Sequence, residues 1–148
     1  MDSFIRFLNE ANLLDTHPPL RKIATIMKKK TFCFSGNHII CDFYSVADNY
    51  INNHTLLIKL LTDAINKAGA TIIDTKYILF YPTGLSAIIL LSESHVSIHT
   101  YPEHNALFFD AFTCGKNCDP KSIVDDFAKG IEVPLYNIHM IHIKRGQS

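Results

Sequence analysis

Residues 85–114 read LSAIILLSESHVSIHTYPEHNALFFDAFTC. Three segments of it, LSAIILLS, HVSIHTY and ALFFDAFTC, are rich in β-branched and aromatic residues and follow one another closely, so they read as successive strands. Upstream, TFCFSGNHIICDFY and TIIDTKYILF have the same character and bracket NNHTLLIKLLTDAINKAG, which sets Leu57, Leu61, Ile65 and Ala68 on one helical face with Gly69 as the stop. Downstream, Asp119 can cap a second helix with Pro120 in its first turn; that helix runs through Ile123 and Phe127 to Gly130, and PLYNIHMIHI closes the chain as a strand. This order predicts an α+β fold, a two-layer sandwich of a mostly antiparallel sheet with helices on one face. Both strand parities carry apolar residues in AIILL and ALFFDAF, so the far face of the sheet is expected to meet a second copy or another partner.

Residues 1–30 differ from the rest. Phe4, Phe7, Leu8 and Leu14 recur at near-helical spacing before Pro18 and Pro19 break the pattern, which predicts a short helix and a linker appended to a domain over residues 31–148. A chain of 148 residues fits one domain and buries roughly 70% of its unfolded surface.

Lys and Arg total 14, as do Asp and Glu, so there is no basic field for nucleic acid or an anionic membrane. Lys28–Lys30 reads as a solvated loop end. No apolar run approaches the ~18 residues that span a bilayer, and the parts of a signal peptide are lacking, so a cytoplasmic protein is expected. Cys33, Cys41, Cys114 and Cys118 are then expected to be free thiols.

The chemistry concentrates in LSESHVSIHTYPEH, residues 91–104, with three histidines, two glutamates and four Ser/Thr hydroxyls. His95 and His99 would share one face of a strand, but no HExxH pattern accompanies them and a third ligand is wanting, so no metal is expected. Acyl transfer is the stronger reading. Ser94 follows the Glu93 carbonyl directly, with His95, His99, Ser86 and Cys114 as available proton carriers, although no GxSxG elbow marks a hydrolase nucleophile.

LSESHVSIHTYPEH followed by FFDAFTCG resembles the signature of the prokaryotic S-adenosylmethionine decarboxylases, a pyruvoyl-dependent family. GNHIICDFY and FYPTGLS resemble that family's opening strand and its F-x-P-x-G-x-S segment, so the likeness runs from about Gly36 to Gly146. It implies self-cleavage between Glu93 and Ser94. The serine hydroxyl attacks the preceding carbonyl, the amide becomes an ester, and elimination and hydrolysis leave a pyruvoyl group made from Ser94. Its keto group would form a Schiff base with S-adenosylmethionine and draw electrons as CO2 leaves, with no external cofactor.

The resemblance also implies roles residue by residue. His99 takes a proton during elimination, Ser86 helps hold the ester, and Cys114 protonates the substrate carbon. Glu103 binds ribose hydroxyls and Phe80 stacks on adenine. Sites of this family lie between two protomers, so a homodimer of processed chains is implied, supplying aminopropyl groups for spermidine. Relatives of the same fold act on arginine or ornithine, and inactive regulatory paralogues exist, though these would be expected to lose Ser94, His99 or Cys114. Ala87 and Tyr101 stand where the family usually has Gly and Trp. Ser94 and His99 have opposite parity, so a bend or bulge at Ser94 must re-aim one of them.

Overall fold

The computed structural model describes residues 35–114 and 118–146, and the helix and linker expected over residues 1–30 lie outside them, as does Cys33. In chain order the elements are β1 (Ser35–Phe43), α1 (Asp48–Ile51), α2 (His54–Lys67), β2 (Ile72–Leu79), β3 (Leu85–Leu91), β4 (Ser94–Tyr101), β5 (Ala106–Cys114), α3 (Pro120–Gly130) and β6 (Ile138–Gly146). Short 3-10 turns cover Pro102–His104 and Leu135–Asn137. The strands form one six-stranded sheet in the order β2-β3-β4-β5-β1-β6. Every neighbouring pair is antiparallel, which fits the predicted α+β sandwich.

Alternation along the strands assigns the two faces. Ile39, Cys41 and Phe43 of β1, Ile89 of β3, Ile98 of β4 and Phe109 of β5 are all buried against the helical layer. That layer offers Leu57, Leu61 and Ile65 from α2 and Ile123, Val124 and Phe127 from α3, the faces that the helical spacing predicts. Phe43, Phe109 and Phe127 meet with ring centroids 5.9 to 6.0 Å apart. Each such fully buried ring contributes about 1.5–3 kcal/mol.

Side-chain caps and a glycine close the helix ends, and Gly69 and Asp119 fall where the sequence signals them. The Asn53 side chain accepts from the Leu56 N–H and Asp119 from the Lys121 N–H, while Gly69 takes φ +79° just past α2. Lys67 donates to Asp126 at 2.7 Å, tying the end of α2 to α3, and this bond holds the Asp126 carboxyl below its ordinary value.

Two elements differ from the sequence reading. The four-residue α1 was not foreseen, because a single turn shows no periodicity. The last strand begins at Ile138, since Leu135–Asn137 form a 3-10 turn after Pro134, whose fixed φ suits a turn entry.

The second sheet face carries Ile40, Ile88, Leu90, Phe108, Ile141 and Ile143, each between 37% and 50% exposed. These exposed apolar side chains are in line with the doubly apolar strands. Among the described residues no helix is long and apolar enough to cross a membrane.

Candidate active site

β3 and β4 form a tight hairpin in which Leu91 pairs with Ser94, so Ser92 and Glu93 are its two turn residues. The turn is anchored to the residue before β2. The Ser92 N–H donates to the Thr71 carbonyl and the Thr71 N–H to Glu93 Oε2, each at 2.9 Å. Ser94 leaves the turn with φ +146°, a conformation in which a Cβ costs of order 1–3 kcal/mol. It stands opposite Leu91 and Thr113, which both belong to the buried face. Its Oγ nevertheless lies 3.3 Å from Nδ1 of His95 on the open face. The bend that opposite parity demands is therefore located at Ser94 itself.

Cys114 ends β5 beside this turn. Its N–H and its Sγ both donate to the Glu93 carbonyl oxygen, each at 3.0 Å. Two donors on one carbonyl polarise it and can hold negative charge that develops on its oxygen. Cys41 and Cys118 are buried, and burial pushes both thiols up, Cys41 to about 12.

Ser86 and His99 are cross-strand partners on β3 and β4, with Ser86 Oγ 2.7 Å from His99 Nδ1. They line a pocket of about 290 Å³ together with Phe80, Gly84, Tyr101 and Glu103. Its rim is set by the β2–β3 turn, where the Phe80 N–H donates to the Gly84 carbonyl at 2.9 Å and Gly84 takes φ +123°. Buried Thr100 accepts the Leu85 N–H at 2.8 Å and fixes the other wall.

The predicted residues thus fall into two groups. Glu93, Ser94 and Cys114 form one; Phe80, Ser86, His99 and Glu103 form the other. His99 lies five residues along β4 from Ser94, roughly 16 Å at the strand rise, so one chain does not unite them.

The sequence reading missed Asp110 and His38. Asp110 Oδ1 lies 2.9 Å from His95 Nε2, and Oδ2 lies 2.6 Å from His38 Nε2. The available signal was one carboxylate inside the apolar run FFDAF, on the parity of the open face. Among the described residues no cluster of His, Cys, Asp and Glu is arranged to hold a metal ion.

Residues 37–146 match the family described as S-adenosylmethionine decarboxylase. The S-adenosylmethionine decarboxylase proenzyme of Thermotoga petrophila is 31% identical over 112 residues, 76% of this chain and 85% of that protein. The one from Methanococcus maripaludis is 35% identical over 111 residues, 75% of this chain and 89% of that protein. The crystal structure of the adenosylmethionine decarboxylase from Aquifex aeolicus superposes with a TM-score of 0.70 at 30% identity, covering 80% of this chain and 95% of that one. With the signature and the fold in agreement, the chain belongs to the S-adenosylmethionine decarboxylase family.

Proposed function

We propose that this chain is a proenzyme that cuts itself between Glu93 and Ser94 and then decarboxylates S-adenosylmethionine, yielding the aminopropyl donor used for spermidine. The observation that carries the self-cleavage is the Glu93 carbonyl, held by two donors from Cys114 beside a strained Ser94. As Ser94 Oγ adds to the Glu93 carbon, negative charge develops on an oxygen already facing those donors. Loss of the Glu93–Ser94 amide bond leaves an ester and a free amine. Elimination across Ser94 then releases the Glu93 carboxylate, and hydrolysis expels ammonia. The residues fit the pyruvoyl group that would result, because cleavage would make residue 94 a chain end beside the Cys114 thiol. Its keto group supplies the electron sink for loss of CO2.

His99 is assigned the proton transfer in elimination and Ser86 the hold on the ester. Both act on the Ser94 of a second copy, since within one chain they are too far away. The exposed apolar face that carries Ser86 and His99, and toward which Ser94 Oγ turns, offers the homodimer its contact surface. Cys114 returns a proton to the substrate carbon after CO2 leaves. Phe80, half exposed on the pocket wall, offers a flat apolar surface to adenine, and the exposed Glu103 offers a carboxylate to the ribose diol. An arginine or ornithine site would instead want a buried carboxylate, and the pocket's lining has none. We assign the enzyme to the cytoplasm, where Cys114 stays a thiol.

Intact mass and denaturing gels should show two fragments, residues 1–93 and a chain from 94 blocked at its N-terminus. The processed protein should release CO2 from carboxyl-labelled S-adenosylmethionine and not from arginine or ornithine. A folded preparation that stays full length removes the self-cleavage, and release from arginine or ornithine alone removes the substrate.

A further inference from the structure

We propose that His95 is the base that takes the proton of Ser94 in the acyl shift, with Asp110 and His38 as its positioning residues. The proposal rests on the self-cleavage reading and names which group starts it. An ionised carboxylate only accepts hydrogen bonds, and each Asp110 oxygen faces one imidazole Nε2, that of His95 at 2.9 Å and that of His38 at 2.6 Å. Both Nε2 atoms therefore carry hydrogen. Neutral His95 is left with an unprotonated Nδ1, and that atom lies 3.3 Å from Ser94 Oγ. A carboxylate that fixes the tautomer of a histidine whose other nitrogen meets a serine hydroxyl is the arrangement that activates serine nucleophiles on unrelated folds.

Sheet register builds the cluster. Phe112 of β5 pairs with His95 of β4 on one side and His38 of β1 on the other, and Asp110 sits two residues along on the same face. The Phe112 ring lies 5.6 Å from the His38 ring and 6.3 Å from the His95 ring, and the Arg145 guanidinium covers it at 5.1 Å. The side chains of His38, Asp110 and His95 are 15%, 30% and 34% exposed, so each is partly shielded from water. His99 Nδ1, by contrast, is engaged with Ser86.

The step balances without any co-reactant. The Ser94 O–H bond breaks and its proton goes to His95 Nδ1 as Oγ bonds to the Glu93 carbon. The Glu93–Ser94 C–N bond then breaks, and the imidazolium returns the proton to the departing amine. His95 ends neutral, ready for elimination to proceed elsewhere in the site.

The test exploits hydroxylamine, which cuts esters and leaves amides intact. Precursors made by cell-free synthesis, wild type, His95→Gln, Asp110→Asn and His99→Ala, are followed with and without hydroxylamine. His95→Gln should lose ~10²–10⁴-fold in the rate of fragment release and yield none with hydroxylamine, because no ester forms. Asp110→Asn should arrest at the same stage, more mildly. His99→Ala should accumulate ester and release fragments only with hydroxylamine. A His95→Gly chain given imidazole should regain cleavage, which separates a missing base from a misfolded chain. Hydroxylamine-released fragments from His95→Gln or Asp110→Asn at the wild-type rate would overturn the proposal, as would a His95→Gly chain with wild-type unfolding that imidazole cannot restore. An uncleaved wild type would instead remove the self-cleavage reading itself.

Discussion

Ser94 holds a side chain where the backbone favours none, and the proposed self-cleavage supplies a chemical reason. A glycine would relieve the strain of φ +146° but would supply no nucleophile and no Cβ for elimination. Cys114 is similarly doubly engaged, because its N–H and its thiol grip the same oxygen. The two donors are separable by mutation. Cys114→Ala keeps the N–H, so self-cleavage should slow by about 10²-fold or less yet still finish. The cleaved protein should nevertheless lose about 10²–10⁴-fold in decarboxylation, since the thiol is the proposed proton donor to carbon. Fragment appearance and CO2 release measured on one preparation check both halves. Normal turnover would take Cys114 out of the decarboxylation step.

At the scale of elements, β1 sets where Cys114 lies. Gly36 pairs with Cys114 across β1 and β5, and a Cβ at Gly36 would come within 2.5 Å of the Thr113 carbonyl oxygen and 2.7 Å of the Phe112 ring. Backbone cannot yield as a flexible side chain can. Gly36→Ala should therefore cost about 1–3 kcal/mol and displace the Cys114 donors, slowing self-cleavage as well. Urea unfolding of the uncleavable Ser94→Ala chain with and without the change isolates the first effect, and an unchanged midpoint would contradict it. The elements themselves were largely legible. Strand alternation and helix caps are local, and Gly69, Asp119 and Pro120 announce their boundaries within a few residues. What stayed hidden depends on register. Nothing local tells that His38 and His95, from strands 57 residues apart in number, both flank Phe112. The candidate site residues Phe80, Ser86, Ser94, His99, Glu103 and Cys114 were named from the family resemblance, but their division into two groups needed the sheet.

At the scale of the molecule, that division makes a prediction about partnership. Ser94→Ala retains Ser86 and His99 but has no nucleophile, while His99→Ala has the nucleophile but not the proton acceptor. Neither chain alone should yield a pyruvoyl fragment. Co-expressed, they should assemble one competent site per mixed dimer, and blocked fragments should arise only from the His99→Ala chains, as mass spectrometry can establish. Confirmed mixed dimers with no such fragments would mean that each chain works by itself. The strand order carries a further consequence for the processed state. The proposed break falls between β3 and β4, yet β1, which would belong to the leading fragment, is wedged between β5 and β6 of the trailing one. The two pieces are interlocked, and neither can leave without stripping the middle of the sheet. On the proposed self-cleavage, chain connectivity is spent in folding and then discarded: the nicked protein would hold together through kinetic persistence, and once unfolded it would face a second-order, concentration-dependent search where the precursor needs only to close on itself.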